Sequence, residues 1–391
     1  MNEKLLQKLS ELNICIVSHI FSSGPALDLE EYLKDKVKSL FFIGHPFPYR
    51  SDIRNFYRHY NGGKLTEEHN AREWKLPEAL FYLKDALYTF IWALSQKTRI
   101  NLFIGSDNFS AYLGLILKRM GKVEDVVLYT IDYMPTRFKN PIMNFLYHYF
   151  DKTCLKECEV IWNVSQKMAE ARQKQKNIGG EGWAPQILVP LGIWHERIPK
   201  LSFKDKERYR LVFLGHVLEK QGLDIVVDSM PALVKKLSRI KLIILGAGPH
   251  ESSLKKKAKK LKVKNCVEFK GYIEDHHEVE LELAKSSIGI AMYKPDPDSF
   301  TYFADPAKLK NYLSAGLPIV LTNVPPIATD LEKEKCAIIS RYSKEDFIEN
   351  ISKLLGNTEK LKEYGDNAVH YADKFDWNKV FLKALHQTLL P

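Results

Sequence analysis

The chain has 391 residues, more than a single hydrophobic core usually organises, so its length predicts two domains. Hydrophobic residues make up 45% and charged residues 27%, a balance that argues against global disorder. The formal net charge of +10 is spread over both halves and suits anionic small molecules or an anionic membrane surface; because no nucleic-acid motif accompanies it, nucleic acid is not expected as a partner.

The cysteines and the first residues bear on the compartment. Five cysteines are scattered along the chain, a pattern that fits a reducing compartment and not a disulfide framework. The opening MNEKLLQKLSEL contains acids and no continuous apolar stretch, so no secretory signal is visible. The longest apolar stretch, residues 79–94, is interrupted by Lys84 and Asp85 and is too short and too charged for a membrane span. We therefore expect a cytoplasmic protein.

Short runs rich in Val, Ile and Leu recur, each followed by a longer amphipathic stretch. They lie at residues 14–18, 40–43, 102–105, 126–130 and 160–163, and then at 211–214, 241–245, 267–269, 288–292, 319–321 and 337–339. Apolar strands that alternate with helices indicate parallel sheets covered on both faces. The predicted fold class is α/β, with two Rossmann-like, doubly wound domains. The predicted boundaries are 1–195 for the first domain, 196–210 for a polar linker and 211–374 for the second domain.

Residues 46–78 interrupt the first series of strands. The stretch is polar and aromatic, and Asn61-Gly62-Gly63 within it predicts a turn. Long insertions between a strand and the next helix often serve binding. A solvated surface excursion is the alternative, and the sequence leaves both interpretations open.

Polar residues follow the strands of the first half. His19 follows the first strand, Gly24 lies in the next loop, and His45 follows the second strand. Asp107 and Asp132 each follow a later strand. Because the carboxyl ends of parallel strands share one edge of a sheet, these residues are candidates for a common site. A helix N-cap is the alternative for Asp107, and structural roles are the alternatives for the two histidines.

Two helical stretches of the first half are rich in aromatic residues. Residues 133–150 interleave Arg137 and Lys139 with apolar side chains, and residues 79–94 form a second such stretch. A basic entry followed by an aromatic helix suits the headgroup region of a bilayer, and exposure of either helix would predict a peripheral protein on the inner face of the membrane with a lipid-linked acceptor. The alternative is that both are core helices of the first domain.

The second half contains two glycine-bearing turns after apolar strands. In residues 211–224, LVFLGHVLEKQGLD, a strand ends at Gly215 and a helical pattern opens at Gly222. Such a turn presents backbone N–H groups to an anion, and Lys220 would add a positive charge beside a diphosphate. Gly246 lies in a tight turn after the next strand, where a purely structural turn is the alternative because the dinucleotide fingerprint is incomplete.

Further along, Gly271 ends a strand and allows the backbone to approach a flat ring closely. Residues 299–305 then lead into a helix that begins near Pro306, and free N–H groups there suit a phosphate. Lys308 and Asn311 share one face of that helix.

The order and spacing of these segments resemble the donor half of GT-B glycosyltransferases of the family 4 type. The matching patterns are G-x4-K-x-G, L-G-x-G-P, V-x-F-x-G, a strand ending in Tyr, and P-x-K-L-x-x-Y-L-x-x-G-x-P-I-V. The first half looks similar as well, in NVSQKMAEAR (163–172) and VPLGIW (189–194). FDW (375–377) matches the start of a terminal helix, 375–391, that crosses back to the first domain in that family.

The resemblance implies transfer of a sugar from a nucleotide-sugar donor, a UDP- or GDP-sugar, to a glycan or lipid-linked acceptor. It implies retention of the anomeric configuration without a required metal ion or other cofactor. The predicted donor-binding residues are Gly24, Gly215, His216, Lys220, Gly246, Gly271, Tyr272, Ser299, Phe300, Thr301, Tyr302, Asp305, Lys308 and Asn311. Catalytic contacts are predicted for Asp132 and Lys220, and acceptor contacts for His19, His45, Asp107 and Arg137.

Three positions depart from the family pattern. Phe303 and Asn311 stand where the family has the two glutamates of E-x7-E, and His216 stands where an arginine usually follows the first glycine. These changes leave a second hypothesis open, a catalytically weak homologue that binds a nucleotide or serves as a scaffold. Asp296 and Asp298 form a D-x-D, for which a solvated turn is favoured over a divalent metal site.

Overall fold

A computed structural model describes residues 2–20, 24–47, 52–133, 136–176, 182–296 and 300–390 of the chain. The chain divides into two compact units, Met1–Pro190 with Trp377–Pro391, and Leu191–Asp376. Residues 196–210, predicted to be a linker, belong to the second unit. Ile198 is buried in the core of that unit, and Phe203 and Tyr209 pack against it.

An eight-stranded sheet forms the centre of the first unit, with the strand order β4-β3-β2-β1-β5-β6-β7-β8. Its strands are β1 (Asn13–Ile20), β2 (Ser39–Pro46), β3 (Phe56–Asn61), β4 (Lys64–Asn70), β5 (Ile100–Gly105), β6 (Val123–Thr130), β7 (Val160–Asn163) and β8 (Gln186–Leu188). The six neighbouring strands β2, β1, β5, β6, β7 and β8 are parallel to one another. Apart from the exposed β8, these strands are largely buried on both faces, which explains their mostly apolar sequences.

The insertion at residues 46–78 contains an antiparallel hairpin that extends this sheet. β3 pairs with β2, and β4 pairs with β3 across the predicted Asn61-Gly62-Gly63 turn. The first sheet is therefore mixed, whereas the sequence predicted only parallel strands. The hairpin escaped prediction because β4 is exposed along its whole length and consequently has no apolar face.

Helices of the first unit cover the sheet. They are α1 (Asn2–Leu9), α2 (Pro25–Leu33), α3 (Glu78–Ser95), α4 (Asn108–Arg119), α5 (Pro141–Glu157) and α6 (Gln166–Lys176). Side chains of α4 and α5 join the buried cluster that also contains residues of β1, β2, β5 and β6. The core thus fixes the strand ends after which the polar residues of the first half lie.

The second unit has a six-stranded parallel sheet with the order β11-β10-β9-β12-β13-β14. Its strands are β9 (Arg210–Leu214), β10 (Lys241–Leu245), β11 (Val267–Gly271), β12 (Ile288–Ala291), β13 (Ile319–Leu321) and β14 (Ala337–Ile339). Its helices are α7 (Leu223–Lys236), α8 (Glu251–Lys260), α9 (His276–Ala284), α10 (Ala307–Ser314), α11 (Ala328–Lys333), α12 (Lys344–Gly356) and α13 (Thr358–Ala372). The strand order reverses between β9 and β12, and sheets of this kind bind ligands beyond the carboxyl ends of the strands at such a point.

The last helix, α14 (Trp377–Leu389), belongs to the first unit. It packs against α1, α2 and β8. The Trp377 ring stacks on Phe381 with centroids 4.4 Å apart, and Phe381 lies 5.5 Å from the ring of Tyr32 in α2. Trp162 adds a hydrogen bond from its indole N–H to the Thr388 hydroxyl at 2.9 Å.

Tyr312 of α10 ties together the carboxyl ends of two neighbouring strands in the second unit. Its hydroxyl accepts a hydrogen bond from the Leu214 N–H of β9 at 2.7 Å and donates to the Ile290 carbonyl of β12 at 3.2 Å. Gly289 leaves room for the ring, because a Cβ at that position would lie 2.6 Å from ring atoms. The side chain thereby fixes the strand end that precedes Gly215.

We expect Tyr312→Phe to lower the free energy of unfolding by about 1–3 kcal/mol, because the Leu214 N–H loses its acceptor. Tyr293→Phe is the matched control, since the buried Tyr293 hydroxyl has no hydrogen-bond partner among the described residues. Its removal should change stability by less than about 0.5 kcal/mol. Urea denaturation measures both values, and equal losses for the two variants would contradict this account.

Candidate functional site

Three glycines follow or end neighbouring strands of the second unit, and all have positive φ angles. They are Gly215 after β9, Gly246 after β10 and Gly271 at the end of β11. The Gly246 N–H donates to the Gly271 carbonyl at 2.8 Å, and a Cβ on Gly246 would lie 2.1 Å from the Gly215 carbonyl oxygen. Only glycine permits this approach, which brings backbone from three strands together where α/β sheets bind ligands.

Lys308, at the start of α10, reaches the same edge. Its Nζ donates to Gln221 Oε1 at 2.7 Å and lies 3.9 Å from the centroid of the Phe213 ring. A Cβ on Gly215 would lie 3.2 Å from that nitrogen. Burial lowers the pKa of Lys308 to about 7, and within the described part of the chain no carboxylate forms an ion pair with it. The local environment therefore favours an added anion.

Lys220 lies in a single 3₁₀ turn, Glu219–Gln221, next to the residue that binds Lys308. Gly222 ends the turn with φ 71°, and a Cβ there would lie 1.7 Å from the Met292 carbonyl oxygen. The Lys220 carbonyl accepts a hydrogen bond from the Lys294 N–H at 3.0 Å. The G-x4-K-x-G segment is thus packed against the chain that follows β12, and it places Lys220 and Gln221 at the edge that carries Lys308.

Asp305, predicted to contact the donor, has partners of its own. One carboxylate oxygen forms an ion pair with the fully buried Lys310, and the other accepts the Leu191 N–H at 2.9 Å. Thr301 is buried and Tyr302 packs against the core of the unit. A structural role accounts for Asp305 in this arrangement.

The remaining predicted donor residues differ in exposure. His216 is exposed, and Tyr272 is 62% exposed directly after Gly271, where its ring is available for contact. The Asn311 amide donates back to the Ala307 carbonyl of its own helix at 3.0 Å. Ser299 lies outside the described residues, and Phe300 is described only as the first residue of a short 3₁₀ turn.

A cavity of about 520 Å³ lies in the first unit, beyond the carboxyl ends of β1, β5 and β6. Five predicted site residues line it together, namely His19, Gly24, Asp107, Asp132 and Arg137. Most of its wall is apolar and comes largely from aromatic and aliphatic side chains of α3, α5 and the segments before them. A cavity of this volume matches typical small-molecule sites.

His19 is held between two carboxylates at the polar end of this cavity. Its Nδ1 lies 2.8 Å from Asp107 and its Nε2 lies 3.3 Å from Asp85. Burial alone would lower the pKa of His19, but attraction to Asp107 and Asp85 and the hydrogen bonds to them raise it to about 10. Asp107 is also the N-cap of α4, as the alternative interpretation expected, and accepts the Ser110 N–H at 2.8 Å. His19 is therefore an imidazolium at neutral pH.

Asp85 was missed by the sequence analysis as a site residue, although its position in an otherwise apolar helix was the available signal. It accepts a hydrogen bond from Asn55 at 2.6 Å, and the same amide donates to Nδ1 of His45 at 2.6 Å. His45 in turn donates from Nε2 to the Thr89 hydroxyl at 2.8 Å. Burial lowers the pKa of His45 to about 4, and His45 does not line the cavity. The arrangement explains His45 as a structural residue and lends no support to the predicted acceptor contact.

Two further ion pairs border the cavity. Arg172, fully buried, lies 3.0 Å from Asp151 and donates to the Asn163 side chain at 2.6 Å and to the Thr130 hydroxyl at 2.8 Å. This pair was not predicted from the sequence. Nearer the surface, Asp132 forms an ion pair with Arg137. The carboxylate predicted to make a catalytic contact thus already has a cationic partner, while 46% of its side chain remains exposed.

In the described residues, no helix combines the length and apolar character needed to cross a bilayer. The D-x-D prediction lies partly outside these residues, because Asp298 is not described.

Comparison with known proteins connects the second unit to a family. Residues 195–370 match the family model described as "Glycosyl transferases group 1". A relative described as an uncharacterized glycosyltransferase of Haemophilus influenzae is 22% identical over 216 residues, which cover 55% of this chain and 58% of that protein. The chain thus spans little more than half the length of this relative.

Two solved structures share the fold over nearly the whole chain. Sucrose-phosphate synthase from Thermosynechococcus elongatus aligns with a TM-score of 0.70 at 11% identity, covering 96% of this chain and 99% of its own. Anabaena HepE in complex with UDP aligns with a TM-score of 0.69 at 14% identity, covering 97% and 99%. The predicted fold class is confirmed: the chain has the GT-B fold, and its second unit matches a group 1 glycosyltransferase domain, as the sequence predicted.

Asp107→Asn should lower the pKa of His19 substantially, because Asp107 supplies the largest attraction that holds this pKa near 10. Asparagine still caps α4, so the helix start is preserved. Because the pKa lies above the unfolded value of 6.5, the stabilisation from this contact is complete below that pH and is lost as pH rises through about 10. NMR titration of labelled histidine measures the shift, and Asp132→Asn is the control. A neutral His19 ring at pH 7 in the unsubstituted protein would show the account to be wrong.

Proposed function

We propose that this chain, whose second unit matches the group 1 glycosyltransferases, transfers a sugar from a nucleotide-sugar donor with retention of configuration and without a metal ion. The donor is a UDP- or GDP-sugar bound on the second unit. The acceptor is a glycan or a lipid-linked saccharide bound at the cavity of the first unit. The complex of HepE with UDP, a protein of the same fold, supports a nucleoside diphosphate as part of the donor.

The proposal is carried by one observation, the convergence of backbone glycines and the Lys308 side chain at a single sheet edge, beside the turn that contains Lys220. Gly215 lies against Lys308, and Lys308 is bound by Gln221 of the turn that contains Lys220. A diphosphate is the ligand that such a site favours, because it can accept hydrogen bonds from backbone N–H groups and pair with ammonium groups. Tyr272, exposed beside Gly271, offers a ring for stacking with a base.

The chemistry asks for charge stabilisation at two places. Negative charge develops on the leaving diphosphate, and we assign Lys308 and Lys220 to stabilise it. Positive charge develops on the sugar ring, and the leaving phosphate oxygen is suited to take the proton of the acceptor hydroxyl. No dedicated base is needed in this scheme. Asp132 is assigned a contact to the donor sugar or to the acceptor hydroxyl.

We further propose that the protein is cytoplasmic and binds the inner face of an anionic membrane. Exposed apolar side chains lie on α3 and α5, and the exposed Lys139, Lys152 and Lys156 add positive charge near α5. Apolar and basic side chains side by side suit a bilayer surface that contains anionic lipids.

A catalytically weak homologue is the second candidate. Phe303 and Asn311 replace the two family carboxylates, and the Asn311 amide is turned to the carbonyl of Ala307 in its own helix. Such a protein would bind the nucleotide and turn over no donor. Binding and turnover must therefore be measured separately.

Lys308→Met should weaken UDP or GDP binding by roughly 10–100-fold at pH 6, since a hydrogen bond to a charged group contributes about 1.5–3 kcal/mol. Because the pKa of Lys308 is about 7 in the free protein, the cationic form that binds the diphosphate is lost as pH rises through 7. Affinity should therefore fall between pH 6 and pH 8 more steeply for the unsubstituted protein than for the variant. Calorimetry measures both, with Lys256→Ala on the exposed face of α8 as the control. Equal pH dependence in both proteins would contradict the placement of the diphosphate.

Lys220→Ala should lower kcat/KM for the donor by roughly 10–100-fold without changing the fold. Hydrolysis or transfer is followed with UDP- and GDP-sugars, and NMR of the anomeric proton reports the configuration of the product. Retention, and activity unchanged by a chelator, is the expected result. Inversion or loss of activity with the chelator would refute the mechanism. Nucleotide binding without turnover of any donor would favour the second candidate.

A further inference from the structure

We infer that the cavity of the first unit binds the hydrocarbon chain of a lipid-linked acceptor. This inference rests on the proposed function and narrows its acceptor to a lipid. It assigns to the cavity a ligand that is apolar along most of its length and polar at one end.

The cavity wall has the polarity of such a molecule. Its apolar part includes the side chains of Tyr82, Phe109, Phe138, Met143 and Phe150. The four aromatic rings of this set are in continuous contact. The ring centroid of Tyr82 lies 5.7 Å from that of Phe109 and 6.3 Å from that of Phe138, and the centroids of Phe109 and Phe150 are 5.7 Å apart. The hydroxyl groups of a free glycan would lose their hydrogen bonds to water along this wall, whereas a hydrocarbon chain loses none.

The polar groups of the cavity are largely engaged with one another. His19 is bound by Asp107 and Asp85, and Asp132 pairs with Arg137. They lie at the strand ends, so the polar head of a bound lipid is expected there. Arg137 carries the positive charge that suits a phosphate or a saccharide hydroxyl of that head.

The cavity opens onto two exposed apolar helix faces. On α3 the exposed residues recur at helical spacing, and they are Leu80, Leu83, Leu87, Ile91 and Leu94. On α5 they are Ile142, Phe145, Leu146 and Tyr149. Leu83 and Leu146 belong both to these faces and to the cavity wall, so the apolar surface is continuous from the outside to the inside. A chain that leaves a bilayer can follow this surface into the cavity without crossing water.

The inference is tested with soluble alkyl phosphates, in the absence of vesicles and below their micellar concentrations. Decyl and dodecyl phosphate are titrated into a solution of the 391-residue protein, and binding is measured by calorimetry. The affinity should rise by roughly fourfold for each added CH₂ group, because each buried group contributes about 0.8 kcal/mol. Inorganic phosphate and a free disaccharide serve as probes without a chain and should bind far more weakly.

Two cavity variants and one matched control test whether the alkyl chain binds inside the cavity. Leu83→Asp at the rim and Met143→Trp in the wall should each weaken dodecyl phosphate binding by at least roughly tenfold. Leu87→Asp makes the same change one turn along α3, at a residue that is 58% exposed and does not line the cavity. Its affinity should stay within about twofold of the unsubstituted protein. Circular dichroism and Tm verify the fold of each variant.

Each other outcome overturns the inference. If dodecyl phosphate does not bind, or binds no better than inorganic phosphate, the cavity holds no chain. If Leu87→Asp weakens binding as much as Leu83→Asp, the apolar faces are only a membrane-docking surface. Donor turnover with a lipid-free glycan, together with UDP or GDP binding, is measured on the same preparations. If these persist while chain binding fails, the proposed function stands and only the lipid acceptor is refuted.

Discussion

In the described part of the chain, the ammonium group of Lys308 is buried without a carboxylate partner, and this determines the electrostatics at the strand ends of the second unit. Burial lowers the pKa of Lys308 to about 7, which means that the folded protein bears a cost for the charge at that position. Among the described residues, the chain gives this nitrogen an amide oxygen of Gln221 and two aromatic faces, those of Phe213 at 3.9 Å and Tyr293 at 5.4 Å. An added anion would offset this cost, which is the physical basis of the diphosphate site that we propose.

In the first unit, by contrast, buried charges are stabilised by partners within the unit itself. Its buried cations are already matched to carboxylates, as in His19 between Asp107 and Asp85 and in Arg172 beside Asp151. Breaking a buried pair leaves an uncompensated charge, which is far more costly than leaving the pair intact. A ligand of this unit therefore gains little by competing for these groups. It gains more from the apolar wall, and this contrast is the physical reason for assigning different ligand chemistries to the two units.

The sequence predicted the parts of the fold that continuous apolar strands specify. All eleven predicted strand positions coincide with observed strands. Strands that are buried on both faces have continuous apolar sequences, and this distinguishes them from loops. Gly215, Gly246 and Gly271 were predictable as well, since each follows or ends such a strand. The β3–β4 hairpin was not, because exposed edge strands carry little apolar pattern. The linker prediction failed for a related reason: Ile198, Phe203 and Tyr209 anchor a stretch whose overall composition is polar.

The sequence could predict which polar residues follow the strands, but not which of them line a cavity. Proximity to a strand end selected His19, Asp107 and Asp132, which line one cavity together with Arg137 of the basic stretch before α5. The same criterion also selected His45, whose ring nitrogens bind Asn55 and Thr89. No local pattern distinguishes a histidine that lines a cavity from one that lies beneath it. The two aromatic helices show the same limit, since burial of Phe81 and Trp92 and exposure of Leu83 and Leu87 occur within one helix. Such a helix has enough apolar residues to cover both a buried face and an exposed face. Only the packing of the inner face, which the rest of the unit decides, shows that a second face remains for a ligand or a membrane.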